Sequence, residues 1–135
     1  MSIARKGRRI DFGGGRSVWT MPLLARDQEA LMVEATGRNG AVSEVRLMNL
    51  AVCAGVTSHE SLKVDQVDAV SGEVVKADFP AEPVMERSPS LGRKVMPRLL
   101  LEALSLSERA EVFTAVWHMG LPEGDEGKSN ASPDA

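Results

Sequence analysis

The spacing of apolar side chains changes period once, between Trp19 and Gly37, and the rest of the chain is organised around that change. Before it, Ile10 and Phe12 alternate with polar neighbours, and Val18-Trp19-Thr20 is rich in strand-forming side chains. Alternation of this kind predicts half-buried strands at Arg8–Phe12 and Ser17–Met21, and Gly13-Gly14-Gly15 permits the positive φ of the connection between them. A two-stranded hairpin is marginal alone, so this one requires a helix or another chain to pack on. After the change, Leu24, Leu31 and Ala35 recur on one side, with Arg26, Asp27, Glu29 and Glu34 in the gaps. That pattern predicts a one-faced helix over Pro22–Thr36, with Pro22 in its first turn and Gly37 as a left-handed stop.

Further along, Ser43 is an N-cap for a second helix to Ala54, stopped by Gly55. Val45, Leu47, Met48, Leu50, Ala51 and Val52 make it apolar over much of its circumference, as a central helix should be. Thr57-Ser58-His59-Glu60 matches a capping box, and Val67, Val70 and Val74 follow at spacings of three and four. These predict a helix over Asp65–Ala77; the β-branched content and Ser71-Gly72 make a hairpin the competing reading. Phe79–Pro89 has three prolines and no period, which predicts a crossover or linker, and Ser90-Leu91-Gly92 begins a new segment. Pro97 can open a helix carrying Leu99, Leu100, Leu101 and Leu104. Ser105-Leu106-Ser107-Glu108 is a second capping box, opening a helix to Met119 with Val112, Phe113, Val116 and Trp117 on one face and Gly120-Leu121-Pro122 after it.

The resulting expectation is a mainly α fold with a small N-terminal β-hairpin. It has a flexible basic arm at residues 1–7, one hairpin-plus-helices domain at 8–120 and a disordered acidic tail at 121–135. Composition agrees with a helical core: 43% of the 135 residues are hydrophobic but only 4% aromatic, so Leu, Val, Met and Ala must fill it. The seven methionines make that packing adaptable. Charge is uneven. Residues 1–16 hold five basic side chains against Asp11, a net of +4, and residues 121–135 hold four acids against Lys128, a net of −3. Ends of opposite sign suit steering between copies or towards a partner. The lone Cys53 has no disulfide partner in the chain, which fits a reducing compartment, and reads as a buried small hydrophobe. No apolar stretch follows the basic N-terminus, so no secretory leader is expected, and no run approaches the roughly 18 apolar residues of a membrane span.

Catalytic chemistry has no motif to rest on. His59 and His118 are far apart and lack Cys, Asp or Glu at metal-ligand spacing. His59 reads as an exposed turn residue and His118 as a surface residue near a helix C-terminus. Pairing of Cys53 with a histidine has no local signature. Gly124–Ser129 ends like a phosphate-binding loop but has Pro122 where the first glycine belongs. No catalytic, cofactor-binding or metal-binding residue is assigned, and a non-enzymatic role is expected. Arg5, Lys6, Arg8 and Arg9, with Phe12 and Trp19 nearby, have the composition of a nucleic-acid grip, against which stands the acidic remainder.

The order of parts resembles the tail assembly chaperones of long-tailed bacteriophages, the lambda-type frameshifted chaperones. Three features carry the resemblance: the basic hairpin entering a helix through Gly15–Leu24 and Arg26-Asp27-Gln28, the turn Ala54-Gly55-Val56-Thr57 before Leu62 and Asp65, and Gly127-Lys128 close to the end. The codons of Glu126, Gly127 and Lys128 can spell a ribosomal slippery heptamer, and the family commonly shifts frame at such a site to make a longer second product. The resemblance implies a protein of the host cytoplasm, absent from the finished virion. It would keep the tape measure protein soluble, help recruit tail tube subunits and possess no catalysis. Leu31, Met32, Leu47, Met48 and Leu50 are the candidates for a contact surface, although a stripe at helical spacing usually faces inward. The other two readings are a nucleic-acid-binding regulator using the basic arm and a small adaptor or inhibitor of one host protein.

Overall fold

Alternation around Ile10 becomes β1 (Arg8–Gly13), and Val18 and its neighbours become β2 (Arg16–Thr20), in a computed structural model that describes residues 7–118. Ile10 faces Val18 across the pair and both are buried, while the three-glycine connection takes positive φ throughout. Residues 1–6 and 119–135 lie outside the described part, and with them the expectations for most of the basic arm, for the acidic tail and for Gly120-Leu121-Pro122. The His118 side chain is also outside it.

The first helix is shorter than its periodicity suggested. α1 spans Ala25–Glu34, and Leu23 ahead of it donates its N–H to the Val116 carbonyl (3.0 Å) instead of entering the helix. The left-handed residue of the following turn is Gly40, not Gly37. α2 (Glu44–Gly55) begins as expected, with Ser43 Oγ accepting the Arg46 N–H (3.3 Å). Its buried side chains, Leu47, Ala51, Val52 and Cys53, make it the central helix. Gly55 remains helical, with no positive φ; its lack of a side chain instead lets α2 touch Val116.

Beyond α2 the mainly α expectation fails. At about 34% helix and 31% strand, the fold is an α+β mix with three small antiparallel sheets. Thr57–Glu60 does not cap a helix. It lies in β3 (Val56–Glu60), which pairs with β2 and completes a sheet of order β1-β2-β3. Asp65–Ala77 is the competing hairpin: β4 (Lys63–Val67) pairs with β5 (Val74–Asp78). The three-and-four spacing of valines misled because Val67 and Val74 are cross-strand partners and Val70 sits in the turn between them. Cross-strand charge supports the register, with Lys63 paired to Asp78 and Lys76 to Asp65. Leu62, Val64 and Phe79 anchor the base of this hairpin in the core.

The proline-rich crossover also contains strand. β6 (Glu86–Ser88) and β7 (Arg93–Val95) form a short hairpin that turns at Gly92 (φ 72°). Leu99–Leu104 yields only a single-turn helix, α3 (Leu99–Glu102), before α4 (Leu106–His118). α4 has the reciprocal capping box its sequence predicts: Ser105 Oγ accepts the Glu108 N–H (3.2 Å), and Glu108 Oε1 accepts the Ser105 N–H (3.0 Å). Val112 and Val116 are fully buried, and Phe113 stacks on Trp117 at 5.2 Å.

Glu108 also closes the domain. Arg16, at the start of β2, grips both its oxygens (2.8 and 2.9 Å) and donates to the Ala103 carbonyl (3.0 Å). The guanidinium hydrogen bonds hold the Glu108 carboxyl below its ordinary value of 4.5, against the opposing effect of burial. A depressed folded value means that this stabilisation is complete above the unfolded pKa and is lost as pH falls through the folded one. Glu108→Gln should therefore cost about 1–3 kcal/mol at neutral pH and flatten the stability profile on the acid side. Urea titrations at a series of pH values check this; an unchanged acid limb in the variant would remove the pair from the stability account.

Candidate functional site

α2 is apolar over more of its surface than the core uses. Leu47, Ala51 and Val52 face inward, whereas Asn49, Leu50, Cys53 and Ala54 line one wall of a groove of about 410 Å³. Leu91, Val95 and Met96, from the β6–β7 hairpin and the residue after it, form the opposite wall. Leu31 and Leu101 contribute to the lining, and Glu34, Arg46, Glu86, Arg87 and Arg98 add charge. The volume is within the range of roughly 300–1,000 Å³ typical of ligand pockets.

The groove exists because the hairpin is fastened at its ends. The Met96 N–H donates to the Cys53 carbonyl (3.0 Å), and the Arg98 N–H donates to Glu86 Oε1 (3.1 Å). Towards α1, Ser90 Oγ donates to Glu34 (2.5 Å) and Arg93 reaches Asp27 (3.4 Å). Between these ties the apolar walls stand apart. Asn49 Oδ1, on the α2 wall, is buried and accepts no hydrogen bond among the described residues. Such an orphan acceptor is costly unless something donates to it.

Of the five contact candidates read from helical spacing, Leu31 and Leu50 line this groove, Leu31 being otherwise buried in the core. Leu47 is core, Met48 is partly buried against it, and Met32 is exposed on α1. The wall made by Leu91, Val95 and Met96 was missed. Its strands are three residues each, too short for a period to register. A second exposed apolar feature escapes for the opposite reason: the spacing of Val67, Val70 and Val74 predicts a helix, whereas they stand at the end of the β4–β5 hairpin.

The chemically suggestive residues do not converge. Cys53 is buried, its thiol near the Pro97 carbonyl (3.8 Å), and burial pushes its pKa up to about 12. A thiol so placed is a poor nucleophile at neutral pH. His59 is half-buried, not exposed; its Nε2–H donates to the Pro80 carbonyl (2.8 Å) and its ring meets Phe79 edge-on. The two residues thus have separate neighbours. Among the described residues, no three His, Cys, Asp or Glu are grouped to hold a metal ion, and no helix is long and apolar enough to cross a membrane. Gly124–Ser129 lies outside the described residues. Two of the N-terminal cations are already matched: Arg9 faces Asp11 (4.0 Å) and Glu60 (3.7 Å), and Arg16 is held by Glu108. No protein-family model, curated protein or solved structure matches this chain.

Proposed function

We propose that the chain is a non-catalytic assembly chaperone of the tail type, which holds an apolar segment of a tape measure protein in the α2/β6–β7 groove and presents it to tail tube subunits. The observation that carries the reading is the groove itself: an apolar trough with charged residues among its lining. An apolar helix or extended segment would cover Leu50, Leu91 and Val95, which are only half-buried. The same reading puts the protein in the host cytoplasm during assembly and out of the finished particle. A nucleic-acid grip is less well supported, because Arg9, one of its four cations, already faces two carboxylates.

The test is co-expression with the tape measure protein encoded at the same locus. The wild-type chain should keep it soluble. Leu50→Gln combined with Leu91→Gln should reduce the soluble complex at least about tenfold, by removing apolar contact at the centre of the interface, while circular dichroism shows the variant folded. A client equally soluble with the folded variant, or insoluble with both, would overturn the reading. A second arm addresses the message. Synonymous recoding of the Gly127 and Lys128 codons should abolish a larger product on an immunoblot against the N-terminal domain. A single band before and after recoding would place the host-adaptor reading first.

A further inference from the structure

The β4–β5 hairpin ends in a turn that exposes apolar surface to solvent and is nevertheless well built. Val70 is 96% exposed, and Val67 and Val74 beside it are 67% and 66% exposed. The turn is held by four hydrogen bonds. The Gly72 N–H donates to the Asp68 carbonyl (2.8 Å) and the Asp68 N–H to the Glu73 carbonyl (2.8 Å), while the Val70 N–H donates to Asp68 Oδ1 (2.8 Å) and the Glu73 N–H to Ser71 Oγ (3.2 Å). A preformed apolar tip loses little entropy on docking. The tip is also acidic: Asp68 and Glu73 are the only charged side chains between Gln66 and Val75.

The groove has the complementary character. Arg87 and Arg98 are among its lining residues, and neither forms an ion pair among the described residues. Its other arginine, Arg46, is matched by Glu34 (3.7 Å), and Glu86 accepts from the Arg98 backbone and keeps its charge, so three arginines in the lining stand against two carboxylates. An acidic knob with an apolar point thus fits an apolar trough carrying unmatched arginines. The exposure of Val70 shows that the tip does not occupy the groove of its own chain.

We infer that the tip of the β4–β5 hairpin of one copy seats Val70 in the α2/β6–β7 groove of a second copy, with Asp68 and Glu73 of the tip facing Arg87 and Arg98 of the groove. Knob and groove are different surfaces, so the contact is head-to-tail and propagates until a ring closes or a client displaces the knob. A hairpin tip covers less than the roughly 1,200 Å² of the smallest stable interfaces, so association is weak, reversible and sensitive to salt. In the proposed chaperone this occupies the groove until an apolar client competes for it. Self-association is measured with no client present, so its failure and the failure of client binding are read separately.

Sedimentation equilibrium of the full 135-residue chain over a range of concentration and salt provides the test. Average mass should rise with concentration and fall as salt is added. Val70→Glu, at the tip, and Arg87→Glu with Arg98→Glu, in the groove, should each weaken association by at least about tenfold. All three side chains are exposed, so folding should survive. The decisive sample is an equimolar mixture of the tip variant and the groove variant. One partner then has only a working groove and the other only a working tip, so the mixture should form a 1:1 dimer and stop there. A wild-type chain that stays monomeric throughout overturns the inference. So does a groove variant that associates like wild type, which would indicate tip-to-tip pairing, or a mixture that stays monomeric.

Discussion

Leu100→Ala should lower the unfolding free energy by roughly 2–5 kcal/mol, the range for removing a fully buried leucine. Leu100 is 0% exposed, on a helix of only one turn. A helix that short has no stability of its own, so α3 is held by what its leucines touch. The backbone offers little to compensate: the Leu100 N–H bonds locally to Pro97 (3.0 Å) and would do so with any side chain there. Truncation should shift the urea midpoint with little change in slope. Phe113→Ala should cost less than a fully buried phenylalanine would, since Phe113 is only partly buried and stacked on Trp117. A cost below about 1 kcal/mol for Leu100→Ala, against the cavity expectation, would mean that α3 does not pack as described.

Gly55→Ala is the second large effect, and its cause is the reverse: crowding in place of a void. A Cβ at Gly55 would lie 2.8 Å from Val116 Cβ and closer still to Cγ1. Val116 is fully buried and, being β-branched, has little rotamer freedom with which to retreat. Nor is the glycine backbone free to move, because its carbonyl accepts the Met21 N–H (2.8 Å) and β3 begins at the next residue. Overpacking of this kind costs about 1–3 kcal/mol. The mechanism is tested by adding Val116→Ala. If the clash is the cause, the double variant should be more stable than the sum of the two single changes predicts, by about 0.5–3 kcal/mol. Strict additivity would place the cost elsewhere.

These two residues also show where a sequence is legible. Where the deciding contact is local, sequence and structure agree: the β1–β2 hairpin through alternating Ile10 and three glycines, the start of α2 through its Ser43 cap, the start of α4 through its capping box. Thr57–Glu60 and Ser105–Glu108 have the same four-residue signature, yet only the second caps a helix. The difference is not in the four residues. In the first, Thr57 Oγ1 donates to the Trp19 carbonyl (3.2 Å), a partner 38 positions away that no local window contains. α2 ends at Gly55 as the sequence predicts, but without the left-handed backbone; the glycine is there a point of contact with Val116 of α4. In the groove, the α2 wall was legible as the surplus of an apolar face. The facing wall was not, because Leu91 and Met96 sit in a segment with prolines and no repeat.

The position of β2 sets the timing of folding. It is the middle strand of its sheet, with β1 beside it from the preceding residues and β3 arriving only at Val56. Its flanks wait longer. Arg16 is matched by Glu108, the Leu23 N–H by Val116, and the Gln28 side chain by the Trp117 carbonyl (3.1 Å). On a ribosome the N-terminal strands therefore emerge early and acquire their last partners only when almost all of the described chain has been made. Contacts of such long range make folding slow and leave early segments exposed while they wait. Nascent chains halted before α4 should remain protease-sensitive throughout, and a stable domain should appear in one step once residue 117 has cleared the exit tunnel.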